Sequence, residues 1–258
     1  MADIGLKYMA GAIMDTDPEN AQPTYEPGFV IGKMVSTNLT VTNAEGELYA
    51  DDQLSEYVSE FSSADFTAEV DNIPLEKQAI MYGATYEDNE LFHSTNDTPP
   101  YMAIGGAQQF RISGARKYRT WYFAKAKASL PDWKGTTKGG SISFGTQPIK
   151  MKVTAPNVGR WYRVKEFDTY ENAKAHIDML LGVKDWHGVN VQINGAESGE
   201  GASPVGTNYV ASGDTFVLTV AGTPTALYDN GVDQVASISE NKYTISNVEG
   251  DHNIAVIF

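Results

Sequence analysis

Residues Gly46–Tyr86 read GELYADDQLSEYVSEFSSADFTAEVDNIPLEKQAIMYGATY. A strand is expected to end at Leu48-Tyr49, before the Asp51-Asp52 step. The following residues, Gln53–Ser63, mix apolar side chains with Glu and Ser, and this mixture predicts a long acidic loop. Such loops are uncommon inside a domain and usually act outside it. Its apolar groups need a surface to bury against, so the segment indicates an assembly protein first and an enzyme second.

The same stretch continues with a strand and a short helix. Asp65–Val70 alternates polar and apolar residues, which is the period of a half-buried strand. Apolar residues over Leu75–Tyr82 then recur at helical spacing, with Asn72 as the expected cap and Gly83 as the expected stop. The stretch therefore predicts strand, acidic loop, strand and helix, with nothing arranged for catalysis.

The composition is that of a globular protein and excludes several kinds of site. The 258 residues are 41% hydrophobic and include no Cys, which excludes disulfides, Cys-based zinc sites and Cys nucleophiles. No apolar run approaches the length of a membrane helix. The N-terminal sequence MADIGLKYMAGAIMDTD lacks the basic start and apolar core of a secretory signal. No membrane anchor is expected.

The charge balance argues against nucleic-acid binding. The formal net charge is −14, and residues 189–258 contribute −7 of it, with 8 acidic residues against Lys242. A chain this acidic lacks the basic footprint that grips phosphates. It could still line a passage through which DNA slides without adhering.

Signals for β-strands dominate the remaining sequence. Strands are expected at Phe29–Val35, Leu39–Thr42, Tyr101–Phe110, Thr120–Ala128 and Ser141–Val153, with a turn at Ser113–Arg116. After a linker at Ala155–Gly159, a short strand is expected at Trp161–Lys165. A helix should follow, opened by Asp168 and Glu171 at capping-box spacing and ended by Gly182, and it should pack back on the first domain.

The last part of the chain has a different character. Gly188–Ser212 is rich in glycine and is interpreted as a second boundary region. Short strands are then expected at Thr215–Val220, Thr225–Tyr228, Gln234–Ile238, Tyr243–Ser246 and Asn253–Phe258. Their spacing fits a small β-sandwich of immunoglobulin type. The predicted fold is mainly β, with a first domain at 1–153, an extension with one helix at 154–188 and the sandwich at 189–258.

No pattern in the sequence favours a catalytic or metal site. The four histidines, His93, His176, His187 and His252, form no paired-ligand pattern, and no nucleophile elbow is present. Asp15, Asp17, Glu19 and Glu26 occupy calcium-loop positions 1, 3, 5 and 12. The sixth position is Asn20 rather than Gly, prolines crowd the segment, and no helices flank it, so a solvated acidic loop is favoured.

Two further segments look suited to phosphate or nucleic acid but are better explained otherwise. Gly135–Ser141 contains Lys and Gly, yet its glycines open a strand rather than a helix, so a turn is favoured over a phosphate loop. The one positive cluster consists of Arg111, Arg116, Lys117, Arg119, Lys125 and Lys127. These bases are expected to pair with the acidic loop of a neighbouring subunit or to lie in solvent.

Taken in order, several segments resemble the major tail proteins, or tail-tube proteins, of bacteriophages with long non-contractile tails. The resemblance covers about residues 5–153, and no single motif in it is diagnostic. Its segments are Tyr49-Ala50-Asp51-Asp52, Phe66–Val70 before the helix ending at Gly83, Arg119–Lys125, Thr137-Lys138-Gly139 and Ser143–Ile149.

The resemblance implies a two-sheet β-sandwich or barrel with a flanking short helix. Its subunits would form six-membered rings that stack into a tube around a DNA passage. A loop at Tyr49–Ser63 would reach the next ring, and residues 1–26 would form an N-terminal arm. The last domain resembles immunoglobulin-like decorations on the tube exterior. Copies of the same chain, a tape-measure protein and a tail-terminator protein are the implied partners, DNA passes without specific binding, and the implied location is the virion after assembly in the host cytoplasm.

The predicted subunit interface combines the acidic loop with the basic cluster. Apolar loop residues would bury against the neighbour, while acidic ones set the register. The predicted interface residues are Tyr49, Asp51, Asp52, Leu54, Glu56, Tyr57, Val58, Glu60, Phe61, Arg111, Arg116, Lys117 and Arg119.

Two other functions stay open at this level. The second is a carbohydrate- or cell-surface-binding module that acts through the C-terminal domain on host glycans, with Trp186, Tyr209 and Tyr228 as candidate stacking rings. The third is a hydrolase with a site assembled from distant residues, which no motif supports. No enzymatic activity, cofactor or metal is expected.

Overall fold

Long antiparallel strands form most of the chain up to Val183. The computed structural model describes residues 2–50, 53–132 and 145–258, and over these residues the protein is mainly β. The chain divides into two units, one ending at Val183 and the other comprising Lys184–Phe258. No helix in the described ranges is long and apolar enough to cross a membrane.

The first unit contains eleven described strands and two described helices. The strands are β1 Ala2–Thr16, β2 Thr24–Tyr25, β3 Phe29–Gly32, β4 Met34–Ala50, β5 Gln53–Val70, β6 Thr85–Glu87, β7 Glu90–Phe92, β8 Tyr101–Ile112, β9 Ala115–Ala128, β10 Gln147–Val153 and β11 Tyr162–Phe167. The helices are α1 Leu75–Tyr82 and α2 Tyr170–Leu181.

Nine of these strands form one antiparallel network. Its order is β2-β1-β8-β9-β10-β5-β4, while β3 also pairs with β1 and β11 with β9. The strand β4 ends this order, so its outer edge carries no further strand among the described residues. The short strands β6 and β7 pair separately.

The main core lies between two parts of this network. Phe66 on β5 has its ring centroid 5.1 Å from that of Trp121 and 5.4 Å from that of Phe123, both on β9. The strands β4, β5 and β10 therefore face β1, β8 and β9 across an apolar interior. Ile104 and Met151 are fully or almost fully buried in it.

Helix α2 covers the opposite face of β1, β8 and β9. Ala173, Ile177 and Leu181 are buried there against alanines of the three strands. A Cβ atom at Gly105 of β8 would lie 3.0 Å from the Ile177 side chain, and one at Gly106 would lie 2.5 Å from the Trp121 ring. These glycines let both layers approach β8 closely. The predicted packing of this helix on the first domain is confirmed.

The predicted helix ends are confirmed, but the predicted caps are wrong. Gly83 and Gly182 end the two helices in the left-handed conformation, with φ of 66° and 63°. Helix α1 begins after Pro74 without a side-chain cap, so Asn72 is not its cap. Thr169 caps α2 by accepting a hydrogen bond from the Asn172 backbone N–H at 3.2 Å.

The acidic loop predicted over Gln53–Ser63 is wrong. These residues are the first part of β5, which pairs with β4 from Met34 opposite Val70 to Ala50 opposite Gln53. The segment pairs with β4 along one edge, and this backbone pairing makes a ribbon possible where the side chains show no alternation.

The N-terminal arm predicted for residues 1–26 is also wrong for the described part. Strand β1 lies inside the network, with β8 along one edge and β3 and β2 along the other. Met9, Ala10 and Ala12 are fully buried on its two faces. Burial on both faces explains why the sequence of β1 lacks a clear period of two.

The strands predicted at Tyr101–Phe110 and Thr120–Ala128 are confirmed within β8 and β9. Ser113 and Gly114 form a two-residue turn between them with φ of 48° and 86°, a pairing of positive angles that suits a tight hairpin. The first residues of the strand predicted at Ser141–Val153, and the glycine-containing loop at Gly135–Ser141, lie outside the described residues.

The second unit is a sandwich of two sheets. Its strands are β12 Trp186–Asn194, β13 Gly201–Ser203, β14 Gly206–Ala211, β15 Phe216–Ala221, β16 Ala226–Asp229, β17 Val232–Asp233, β18 Lys242–Ile245 and β19 His252–Ile257. One sheet has the order β14-β12-β19-β16-β17 and the other β13-β15-β18. Strands β12 and β19 run parallel. Val191 and Ile254 meet Leu218 and Tyr243 in its own core.

Two predictions for the second unit are corrected. The residues interpreted as a boundary region, Gly188–Ser212, form most of β12 and all of β13 and β14, because their alternate residues Val189 and Val191 are buried in the sandwich. The strand predicted at Gln234–Ile238 is a short 3-10 helix at Val235–Ser237. The other four strands predicted there lie within one residue of β15, β16, β18 and β19.

Candidate functional site

The outer part of the β4–β5 hairpin extends beyond the body of the first unit. We call residues 43–50 and 53–60 the distal hairpin. Each of its side chains that the structure describes is exposed. Eight residues per strand correspond to a ribbon about 25 Å long. An isolated two-stranded ribbon is marginally stable in water, so this one gains most from a partner surface.

Both faces of the distal hairpin carry exposed apolar side chains. Leu48 and Val58 share one face and are 56% and 46% exposed. Tyr49 and Tyr57 share the other face and are 63% and 51% exposed. A single flat surface can bury only one of these faces. The arrangement therefore suits insertion between two surfaces.

The distal hairpin is also uniformly acidic. No Lys or Arg occurs between Lys33 and Lys77 in the sequence. Glu56 and Glu60 lie on the face of Val58, whereas Glu45 and Glu47 lie on the face of Tyr57. Of the predicted interface residues, Asp51 and Asp52 fall outside the described residues, and the side chain of Leu54 is not described.

Phe61, a predicted interface residue, packs within its own chain. Its ring stacks on that of Trp161 with centroids 3.9 Å apart and planes within 8°. Trp161 also lies 6.2 Å from Phe123 and 5.2 Å from Tyr162. This aromatic stack holds the base of the hairpin against β9 and the residue that precedes β11, and so fixes the direction in which the ribbon points.

Two of the predicted basic residues form an unusual pair at the tip of the β8–β9 hairpin. Arg111 and Arg116 lie directly opposite each other in the register and are both exposed. Like charges in this position repel each other. Neither makes an ion pair with any of the described side chains. We call these two residues the arginine tip, and it is suited to binding carboxylates of another molecule.

The other predicted bases have partners in the same chain. Lys117 pairs with Asp168, and Arg119 pairs with Glu166 at 2.7 Å across the β9–β11 pairing. The sequence analysis placed Arg111, Arg116, Lys117 and Arg119 in one interface. Of these four, Arg111 and Arg116 make no ion pair with a described side chain and could bind acidic groups of a neighbour. Exposed pairs such as these contribute little stability.

Lys125 binds Asp17, which the sequence places in the calcium-like loop. The Lys125 ammonium lies 2.6 Å from one Asp17 oxygen, and the Asn157 backbone N–H donates to the other at 3.0 Å. Burial raises the pKa of the Asp17 carboxyl, but these hydrogen bonds outweigh it and hold the pKa below its usual value. Among the described residues, no three His, Asp or Glu side chains are grouped as metal ligands would be. Asp17 thus anchors the residues after β1.

A buried polar cluster that the sequence did not reveal fastens α2 to β1. The fully buried Asp178 accepts hydrogen bonds from the Tyr8 hydroxyl at 2.5 Å and from the Lys174 ammonium at 2.6 Å. Burial and the neighbouring carboxylate raise the pKa of Tyr8. The Lys174–Asp178 spacing of four residues was the one available signal. Tyr8 is 170 positions away and could not be inferred.

A similar cluster joins the two sheets of the second unit. The buried Asp229 on β16 accepts hydrogen bonds from Tyr243 on β18 at 2.8 Å and lies 2.8 Å from His252 on β19. Burial, with the hydrogen bond to Asp229, raises the pKa of Tyr243. The cluster satisfies a buried carboxylate and ties the sandwich together.

The half-buried His176 on α2 should make the first unit sensitive to acid. Burial, with Lys165 and Arg163 nearby, lowers the pKa of His176 to about 4. Between pH 6.5 and 4 the unfolded chain binds a proton that the folded chain does not, so stability should fall as pH falls through this range. We expect His176→Gln to show a shallower fall in melting temperature from pH 7 to pH 4 than the parent. An equally steep fall in the variant would contradict an imidazole that stays neutral in the folded chain.

No protein-family model and no curated protein sequence matches this chain. A function can be inferred from the distal hairpin and the arginine tip, together with the resemblance to tail-tube proteins.

Proposed function

We propose that the protein is a structural subunit that assembles with copies of itself into stacked six-membered rings, forming a phage tail tube through which DNA passes. The second unit would decorate the tube exterior, and tape-measure and tail-terminator proteins would be further partners. The ring number and the phage setting come from the resemblance. The observation that carries self-assembly is the distal hairpin, with exposed apolar residues on both faces.

Charge complementarity supports the same proposal. The distal hairpin holds Glu45, Glu47, Glu56 and Glu60 without a single base. The arginine tip has two bases without an acid among the described residues. A head-to-tail contact joins two different surfaces of identical subunits, and such contacts either close into rings or continue along an axis. The hairpin of one copy and the arginine tip of the next would form one of these contacts.

The two-faced hairpin adds a geometric requirement. Leu48 and Val58 lie on one face of the ribbon, and Tyr49 and Tyr57 lie on the other face. Both faces are therefore buried only when the ribbon lies between two neighbours. A subunit in a stacked ring has neighbours beside it and along the axis, which satisfies this requirement. The acidity of the chain also suits a passage for DNA, because phosphates are not held without Lys or Arg.

The direct test is negative-stain microscopy of the concentrated protein. Rings or hollow tubes are expected, whereas monodisperse single subunits at all concentrations would overturn the proposal. We further expect Arg111→Glu/Arg116→Glu to raise the concentration needed for assembly by about 100-fold, because like charges across an interface cost several kcal/mol. Lys184→Glu/Lys242→Glu makes the same charge change in the second unit and should assemble as the parent does.

Charge reversal on the hairpin should restore assembly and identify the contacting face. Glu56→Arg/Glu60→Arg and Glu45→Arg/Glu47→Arg alter opposite faces. We expect one of these pairs, combined with the arginine-tip variant, to recover tubes. Normal assembly of the arginine-tip variant, or failure of both combinations, would remove the arginine tip from the interface.

A further inference from the structure

The outer face of the five-stranded sheet in the second unit carries amides and aromatic rings. Alternation along β12 places Val189 and Val191 in the core, so Trp186, Asn190 and Gln192 belong to the outer face. These three side chains are half-buried or exposed. Nothing in the assembly proposal uses this face.

The neighbouring strands extend the same surface. On β14, Tyr209 lies opposite Gly188, and on β19, Asn253 lies beside Asn190. Tyr228 on β16 lies opposite Ala255, which is itself beside Gln192. We call this set the amide face, and its members are Trp186, Asn190, Gln192, Tyr209, Tyr228 and Asn253. The three aromatic residues considered in the sequence as stacking rings thus lie on one face.

The amide face contrasts in charge with the rest of the unit. None of its six residues is charged, although residues 189–258 contain 8 acidic residues and one Lys. One of these acidic residues, Asp233 on β17, borders the amide face opposite Tyr228. The side-chain amides of Asn190, Gln192 and Asn253 have no hydrogen-bond partner among the described residues. Their donors and acceptors are therefore available to a ligand.

We propose that the amide face binds a neutral oligosaccharide. Side-chain amides can donate to and accept from sugar hydroxyls at once. Aromatic rings offer apolar surface to the C–H faces of a sugar ring. An anionic polysaccharide would be repelled by the acidic unit, which leaves neutral glycans as the class that fits.

The dimensions of the face favour a chain of sugars over a single one. Tyr209 and Tyr228 are three strand spacings apart across the sheet and four residues apart along it. These offsets place the two rings roughly 20 Å apart. A monosaccharide cannot contact both, whereas an extended oligosaccharide can. The inference does not depend on tube assembly.

The test measures binding of the full chain to immobilised glycans. The neutral probes are a β-glucan, a galactan, a mannan and oligomers of N-acetylglucosamine, and the anionic probes are alginate and hyaluronan. Retention by at least one neutral probe and by neither anionic probe is expected. Stronger binding to N-acetylglucosamine oligomers than to the β-glucan would indicate a cell-wall glycan. The reverse order would indicate a storage or capsular glycan.

Variants then assign the site. Tyr228→Ala and Asn190→Ala/Gln192→Ala should each weaken binding about tenfold, as loss of a central contact does. Val217→Ala, an exposed change on the outer face of the other sheet, should bind like the parent. Melting curves check that each variant is folded. Failure of the parent to bind any neutral probe, or unchanged binding by both amide-face variants, would overturn the inference.

Discussion

Shortening the distal hairpin is expected to leave a folded protein that no longer forms tubes. The variant replaces residues 44–60 with Asn-Gly, which joins Asn43 to Phe61 where they already pair. The described side chains removed are all exposed, so the core is untouched. Phe61 is kept because it stacks on Trp161. Assembly is measured by microscopy and sedimentation, and folding by thermal melting.

The loss should be complete rather than partial. The shortened protein lacks the four exposed apolar residues Leu48, Tyr49, Tyr57 and Val58, and central apolar contacts dominate the energy of most interfaces. Ser59→Thr, on the same strand, keeps the ribbon and should assemble normally. Tubes formed by the shortened protein would show that the hairpin is not an assembly element. A shortened protein that does not melt cooperatively calls for a second variant, Tyr57→Ser/Val58→Ser, with the same expected loss.

Asp178→Ala is expected to destabilise the first unit strongly, by about 3 kcal/mol. It leaves the buried Tyr8 hydroxyl without its acceptor and removes the carboxylate that neutralises Lys174. For a unit of this size, the melting temperature should fall by about 6–12 °C. Glu171→Ala, at an exposed position of the same helix, should change stability by less than about 0.5 kcal/mol.

Tyr8→Phe separates the two contributions to this cluster. It removes one hydrogen bond and leaves the Lys174–Asp178 pair, so about 1 kcal/mol should be lost. Equal stability of Asp178→Ala and the parent in calorimetry would mean that the cluster does not fasten α2 to β1.

Local signals in the sequence were sufficient for the helix ends and for the strands with one buried face. Gly83 and Gly182 stop their helices through their own backbone freedom, which needs no knowledge of distant residues. Asp65–Val70 alternates because one of its faces meets the core. The mainly β class followed from these segments.

The distal hairpin could not be predicted in the same way, because it has no buried face. Period-two alternation arises where one side of a strand is covered, and the described side chains of residues 53–60 are exposed on both faces. The burial of its apolar residues against a neighbouring subunit stays a prediction. The prediction of an N-terminal arm was wrong for the opposite reason, because both faces of strand β1 are buried.

The sequence was sufficient to identify candidate residues of the site but not the residues that they contact. Lys117 and Arg119 could be identified as bases, but their partners Asp168 and Glu166 lie about 50 positions further along and reach them only through the β9–β11 pairing. The same holds for Phe61, whose stacking on Trp161 spans 100 positions. Contacts at such separations depend on topology, which residue patterns do not specify.

Because the outer edge of β4 is unpaired among the described residues, ionic strength should affect both ordered assembly and edge-to-edge aggregation. Two free hairpins could join edge to edge, as unprotected strands do, but both carry only negative charge, and their mutual repulsion opposes that reaction. At about 0.15 M salt this repulsion acts over about 8 Å, and at 1 M over only about 3 Å. Concentrated salt therefore weakens the attraction to the arginine tip and, at the same time, removes the barrier between like hairpins. Disordered precipitation would then compete with ordered assembly, so a dilute buffer favours the ordered contact over edge-to-edge pairing of hairpins.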